Sequence, residues 1–515
     1  MRRLVLGLLL TALLAVSVEG GAGSAPTPSP GVPGWTIEPV ATFGGSSPPQ
    51  LAVGTDGVPQ VLYCPVGQAW WANRSDAGWL PEYVAATPGG GGCGALAVGP
   101  DGAPRVYVYS KPVVGPAAAM LWTRTPAGWT PSPGTVPSGS IAVDSQGRVH
   151  MVAEEAVPNG TAYDHYLHFA VLSGGVWQVT RLDFMGTTGF AFIGAHWEQV
   201  VVDSQDNPRV LCYDQLRGDV RYASRNETGW RVEVVEHIGA LNIAGREGSL
   251  ALDVAGNPHA AYTVRTGPRT SEVRYAVRGS AGWASEAVSR PPPAYGGGGL
   301  SPSVAVGAAG PVVLYGFNEQ LTAIPTSFNY DLIFAAKGPS GWEDEIAYDG
   351  HLFLNVLSDP SDDDLDAPQF PAMVLDHCGN PHAAVYLNNR VGAATNSGVY
   401  YLTKGECSPS TATASLRVEP RTMNLKSQGR WVTATVTVDG ATAADVDLSS
   451  LVLNGVPAAW ARRLNDTTLL AKFPRAEVAA TLPEGKLVTL TLTGSWNDGE
   501  GFTATDAIRV IRPGR

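Results

Sequence analysis

Between residues 34 and 407 apolar residues recur in short alternating runs punctuated by Gly, Asn and Pro, and the runs themselves repeat. The clearest copy spans Ser249 to Val288. Leu250 to Asp253 is apolar and ends in the turn Val254-Ala255-Gly256-Asn257-Pro258, after which His259 to Val264 resumes with β-formers. Val273 to Val277 and Trp283 to Val288 follow, separated by Gly279-Ser280-Ala281-Gly282. Period-2 alternation over runs this short predicts strands, four to a module.

The same module is legible seven times. Module one has Leu51, the turn Asp56-Gly57-Val58-Pro59 and Trp79; module two has Leu96, Asp101-Gly102-Ala103-Pro104 and Trp129; module three has Ile141, Asp144 and Trp177. Module four has Val200, Asp203 and Trp230, module five is the stretch above, and module six has Val304, Gly310-Pro311 and Trp342. Module seven has Met373, Asp376 and Val399 to Thr403 but no Trp strand, whereas Trp35 to Val40 is a Trp strand with no module before it. Repeats of about 45 to 70 residues with four strands each predict an all-β fold, a seven-bladed β-propeller over 34–407 closed by its amino-terminal strand. Beyond a linker at 408–414 the pattern changes. Alternating strands at Leu416 to Val418, Val432 to Val438, Leu451 to Leu453, Leu469 to Phe473, Leu487 to Thr493 and Phe502 to Val510 predict an immunoglobulin-like β-sandwich over 415–515.

Composition adds a compartment. Arg2 and Arg3 precede the apolar run Leu4 to Val18, and small residues follow, which is the form of a secretory signal peptide over 1–22, with a Pro-rich linker over 23–33. The expected mature protein is secreted and extracellular, with no membrane span. Its Ala-, Gly- and Pro-rich make-up suggests a GC-rich bacterial source. A net charge of -12 and the lack of any Lys/Arg stripe exclude nucleic acid as a natural partner. The partner expected is a glycan or a protein at the cell exterior, bound by a monomer. Five Cys in an exported chain point to disulfides, paired by module position as Cys64 with Cys93 and Cys378 with Cys407, leaving Cys212 as a buried thiol.

The modules, with their Asp-x-x-Gly-Asn-Pro-His turn and Gly-Trp strand, resemble a bacterial family of secreted propellers grouped loosely with sialidases. None of the turns has the Ser-x-Asp-x-Gly-x-Thr-Trp form of the sialidase aspartate box, so the resemblance implies a scaffold and carries no catalytic residues. The segment MNLKSQGRWVTATV, with VDLSSLVLNG, KFPRAEV and LTLTG, resembles an immunoglobulin-like accessory module of exported prokaryotic proteins. That resemblance implies an accessory or scaffolding role.

Two residue sets invite a site. His150, His259 and His382 share one module position, but Gln60, Arg105, Arg209 and Val312 fill it elsewhere, and module six, with Val312, is the one that lacks a turn aspartate. A hydrogen bond or ion pair across each hairpin accounts for that better than a metal ring. The longer connections, Ala153 to Tyr166, Leu182 to Trp197, Ser289 to Ser301, Phe317 to Tyr330 and Asp349 to Phe370, fall on one face, as a working surface would. They carry the candidate ligand-binding residues Glu154, Glu155, Tyr163, Asp164, His165, Phe192, His196, Trp197, Glu198, Asn318, Glu319, Phe328 and Tyr330. Aromatic rings beside carboxylates suit sugar stacking and hydroxyl recognition, so the expected function is binding. The alternative is a carbohydrate-active enzyme, a glycoside hydrolase or polysaccharide lyase, working through a carboxylate pair that no spacing identifies. No cofactor is implied with certainty. The acidic run Asp359, Asp362, Asp363, Asp364 and Asp366 either holds Ca²⁺ or is a solvated loop, since it lacks the order of an EF-hand.

Overall fold

The computed structural model describes residues 32–512 except 44–47, 55–56, 76, 90, 111–117, 134–138, 190–194, 227–228, 240–247, 292–295, 321–327, 350–368, 377–378, 388–389, 392–393, 396, 406–412, 428, 440–441, 466 and 497–500. The leader, the acidic run with its calcium reading and the pair Cys378 and Cys407 lie outside the described residues. The chain is nearly all β, and its repeat region has a β-propeller-like arrangement.

Five sheets of the repeat region are separate four-stranded antiparallel meanders, and eight further strands form two more, joined where Thr270 and Ser271 run parallel to Gly297 and Gly298. Glycine is required at that seam: a Cβ on Gly298 would stand 1.9 Å from the Ser271 carbonyl oxygen. The first strands of successive modules adjoin in cyclic order, Gln50–Val53 next to Gly92–Val98 and so on to Gln369–Leu375, which meets Gln50–Val53 again. Side chains bridge several of these inner strands. Ser140 accepts from the Val200 amide (3.3 Å), Gln199 from Leu250, Ser249 from Val304 (2.7 Å) and Ser303 from Met373 (3.0 Å).

Every junction between neighbouring modules has its own apolar cluster, because strand alternation gives each sheet two buried faces. The recurrent Trp lies at these junctions. Trp129 packs edge-on against Trp71 of the preceding module, Trp230 against Phe169, Trp283 against Tyr222, Trp342 against Tyr275 and Trp79 against Tyr401, at 4.8 to 5.8 Å between ring centroids. The strand Trp35–Thr42 supplies the missing edge of module seven, pairing Trp35 with Lys404 and Glu38 with Tyr401. Its Trp35 meets Phe334 at 5.5 Å and donates to Glu345 (3.1 Å). Cys64 and Cys93 form a disulfide between modules one and two, and Cys212 is a buried free thiol.

The first hairpins close on a shared pair of backbone bonds, from the amide of position i to the carbonyl of i+4 and from the amide of i+3 back to i. Position i is Asp144, Asp203, Asp253 and Asp376 in modules three, four, five and seven, but Gly54 and Gly99 in modules one and two. The turn aspartate of module two therefore holds a different backbone position from those of modules three, four, five and seven. Asp101 sits two residues further on and pairs with Arg105 from there (2.9 Å). A Cβ on Gly99 would lie 2.2 Å from Arg105 Nη1, so that ion pair fills the space the aspartate takes elsewhere. The histidines do meet their own turns: His150, His259 and His382 stand 2.7, 3.5 and 3.2 Å from Asp144, Asp253 and Asp376.

Residues 413–512 form two sheets about a separate core that includes Val432, Val436, Leu469, Phe473, Leu490 and Leu492. Trp431–Asp439, a central strand of the four-stranded sheet, alternates strictly and turns Val432, Ala434, Val436 and Val438 into that core. A short helix, Arg475–Ala480, follows the strand Thr468–Pro474 and was not expected from the pattern. Thr422–Asn424 runs parallel to Gly501–Ile511.

Since Trp35 fills the last junction, Trp35→Ala is expected to destabilise the repeat region by about 3–5 kcal/mol, the usual range for truncating a buried Trp. The readout is the midpoint of urea unfolding followed by Trp fluorescence; an unchanged midpoint contradicts the closing role.

Candidate functional site

The long face differs from expectation in its local structure. Ala153 to Tyr166 is no irregular loop: module three's second and third strands, Val149–Asn159 and Ala162–Ser173, continue as a paired hairpin to a turn at Gly160 and Thr161. Phe317 to Tyr330 is likewise carried by the strands Gly310–Gln320 and Phe328–Gly338. Pairing satisfies the backbone of both extensions, so their polar side chains stand on a regular ladder.

On module three that ladder gathers a compact polar group. His165 is fully buried; its Nδ1 bonds the Glu154 carboxylate and its Nε2 the Thr188 hydroxyl (3.1 Å), a residue of the outer strand Val176–Thr188. Glu198 joins them from module four's first strand, Ala195–Val202, where pairing with Pro208–Asp214 is irregular between His196 and Gln199. Glu198 lies near enough to Cys212, a member of the cluster of Val152, Leu167 and Val200, for its charge to act on that thiol. Burial there, reinforced by the charge of Glu154, raises the Glu198 carboxyl from the ordinary 4.5 to about 8. Burial also raises the thiol of Cys212, with Glu198 adding to the effect. The site therefore sets a carboxyl that keeps its proton at neutral pH near a carboxylate paired with histidine, which is the combination that divides acid and base roles between two like groups.

Other candidates have structural duties nearby. Asp164 accepts from the Thr187 hydroxyl (2.6 Å) and the Asn159 amide (3.1 Å), and these bonds hold its carboxyl below the usual range. Glu155 faces His168 (3.1 Å) and Arg181 (3.5 Å), whose guanidinium lies over the Tyr166 ring at 4.2 Å. Tyr163 pairs across the outer edge with Thr188 and is half-buried.

The structure divides the remaining candidates. Asn318, Glu319 and Tyr330 are on module six, which does not adjoin module three, with Asn318 and Tyr330 buried. Phe192 and the side chains of His196, Trp197 and Phe328 lie outside the described residues. Sequence reasoning missed the cluster beside Glu198: Asp214, fully buried, takes Arg217 (2.6 Å) and Arg221 (3.5 Å), and Arg221 also pairs with Asp183. Its signal was present, because Asp214 accepts from the amides of Leu216 and Arg217, as an Asp opening a turn before Gly218 does. Among the described residues no group of three or more His, Cys, Asp or Glu is placed to hold a metal, and no helix is long and apolar enough to cross a membrane.

No family model matches the chain, and no curated protein matches it. Solved structures similar to it include an ulvan lyase from a polysaccharide lyase family, at 13% identity and TM-score 0.43, covering 70% of this chain and 94% of that one. TolB from Acinetobacter baumannii is similar at 14% identity and TM-score 0.36; 58% of this chain and 65% of TolB are covered. A Hadza microbial sialidase shows 14% identity and TM-score 0.35 over 52% of this chain and 62% of its own. Similarity at this level assigns no residue role.

A carboxyl whose folded-state value exceeds its unfolded value adds stability that is full below the unfolded value and lost as pH rises through the folded one. Wild type is therefore expected to lose stability relative to Glu198→Gln between about pH 5 and pH 8, by at most about 1.4 kcal/mol per pH unit. Urea titrations of both proteins at intervals of pH measure it; parallel pH profiles contradict a protonated Glu198.

Proposed function

We propose that the chain is an exported binding protein: a seven-bladed β-propeller closed by its amino-terminal strand, followed by an immunoglobulin-like accessory module. Its working surface is the face bearing the extended hairpins, and its ligand is a polyhydroxylated one, a glycan or a glycosylated partner at the cell exterior. The observation that carries this reading is the module three hairpin. There Glu154, His165 and Thr188 of one module converge with Glu198 of the next, beside Glu155, Tyr166 and Arg181. Carboxylates, imidazole and a guanidinium stacked on an aromatic ring are the groups that recognise hydroxyls and sugar faces.

A second reading is favoured by one specific feature. Glu198 carries a proton at neutral pH near the Glu154 carboxyl, as a general acid and its partner would in a carbohydrate-active enzyme. On this reading Glu198 donates to a leaving oxygen. Glu154, oriented by His165, serves as base or charge stabiliser.

One experiment separates the two. The mature protein and its Glu198→Gln variant are applied to a glycan array, and every glycan that binds is assayed for reducing ends and for unsaturated products. The binding reading expects retention of ligand with no product from either protein. The enzyme reading expects product from wild type and a loss of about 100-fold or more in the variant. Absence of binding to any glycan defeats both.

A further inference from the structure

The junctions between modules follow a rule, and one junction breaks it in two places. At five of them a Glu on the outer strand of one module pairs with a cation on the third strand of the next: Glu38 with Arg74, Glu82 with Arg124, Glu233 with Arg278, Glu286 with Lys337 and Glu345 with Lys404. The register is constant. Each Glu stands opposite an aromatic-row residue, Tyr401, Trp71, Tyr222, Tyr275 or Phe334, and each cation opposite the module Trp. Between modules two and three both members are absent, since Ser132 and Leu172 occupy the two positions. Between modules three and four the cation remains as Arg225, opposite Trp230, but Thr180 stands opposite Phe169 where the Glu belongs. Among the described residues Arg225 makes no ion pair.

The second omission is at the same place. His259 and His382 each bond through Nδ1 to a tyrosine hydroxyl of the aromatic row, Tyr275 (2.6 Å) and Tyr401. The equivalent partner of His150 is Phe169, whose ring holds the same position (5.7 Å, 42°, against 5.8 Å, 39° for His259 and Tyr275) but has no hydroxyl. His150 is 3% exposed, its Nε2 is held by Asp144, and its Nδ1 is buried with no partner. A cleft of about 550 Å³ opens at this junction on the short-turn side, with Arg148, His150, Ser173, Gln178, Asn207 and Arg225 among its walls. Asp206 also lines it, but accepts from the amide and hydroxyl of Ser145 (2.9 and 2.7 Å), so its charge is engaged across the junction.

We propose that this cleft binds a small hydroxyl-bearing carboxylate, a uronic acid or a hydroxy acid of monosaccharide size, which supplies the two groups the junction lacks. The ligand carboxylate meets Arg225 as Glu does at the other junctions, and a ligand hydroxyl serves His150 as tyrosine does in modules five and seven. Side-chain amides such as Gln178 and Asn207 take further hydroxyls. The volume lies within the range of small-molecule sites. The site is separate from the Glu154 and Glu198 group and independent of the function proposed for it.

The test uses the full mature chain and titrates galacturonate, galactose and acetate by calorimetry and by ligand-observed NMR. Wild type is expected to bind galacturonate, with galactose and acetate each weaker by about tenfold or more. Thr180→Glu, which rebuilds the clamp on Arg225, and Phe169→Tyr, which rebuilds the histidine bond, are expected to weaken galacturonate by about tenfold each. Both variants introduce contacts that other junctions already use, so thermal melting should show them folded, and Arg225→Gln gives a third measure of the same loss. No galacturonate binding, equal binding of galactose, or an unchanged affinity in Thr180→Glu and Arg225→Gln overturns the proposal.

Discussion

The contact on which the repeat region depends is the edge-on packing of a module's outer Trp against the third strand of the module before it. A four-stranded sheet with two apolar faces cannot bury both by itself, so each face waits for a neighbour. The Trp ring covers the aromatic row, and at five junctions a Glu takes the third-strand cation while three of the indoles, Trp35, Trp79 and Trp342, donate to the same carboxylates. Exposed ion pairs of this kind contribute little singly. Their consequence here is register: a Glu, a cation and an indole must arrive together, which sets how far one sheet slides over the next. Closure extends the same demand to the chain ends, because Trp35 must return to Phe334 and Lys404 before the last junction exists.

Departures from a repeating contact become informative against that background. A Glu replaced by Thr180 or a Tyr by Phe169 is unremarkable in isolation, and each leaves a polar group of its partner unserved only because the partner kept its identity. Module three departs in a second way, through an extended hairpin that carries Glu154 and His165 towards Glu198. Both features flank the sheet-to-sheet junction of modules three and four, one on each side of the propeller-like body. Both proposed sites fall where the repeat is least regular, as expected when a scaffold's ordinary contacts are traded for sites.

The polar networks at these places also show why burial matters more than proximity. Glu198 and Asp164 are carboxyls of the same region, yet one is pushed to about 8 by burial and the other is held low by two hydrogen bonds. His150 is driven below its ordinary value by burial although Asp144 opposes it. Its neutral ring therefore leaves one nitrogen as an acceptor, the tautomer that a hydroxyl would complete.

The repeats, their four-strand content, the orphan strand at Trp35, the Cys64 with Cys93 pair and the packing role of the Trp were legible in the sequence, because period-2 alternation and turn residues are local properties of the chain. The hairpin bond between His150 and Asp144 was legible too, since its partners lie six residues apart. The backbone position of Asp101 was not legible for the converse reason: two turns of similar composition place their aspartates at different positions, and only the hydrogen bonds tell them apart. Glu198 could be named as a candidate from its loop, but its proton could not, because that depends on burial in the packed junction and on Glu154 arriving from another strand. The unpaired Arg225 and the unserved His150 likewise exist only once strands from two modules face each other, since a missing partner is a property of the packed junction rather than of either residue.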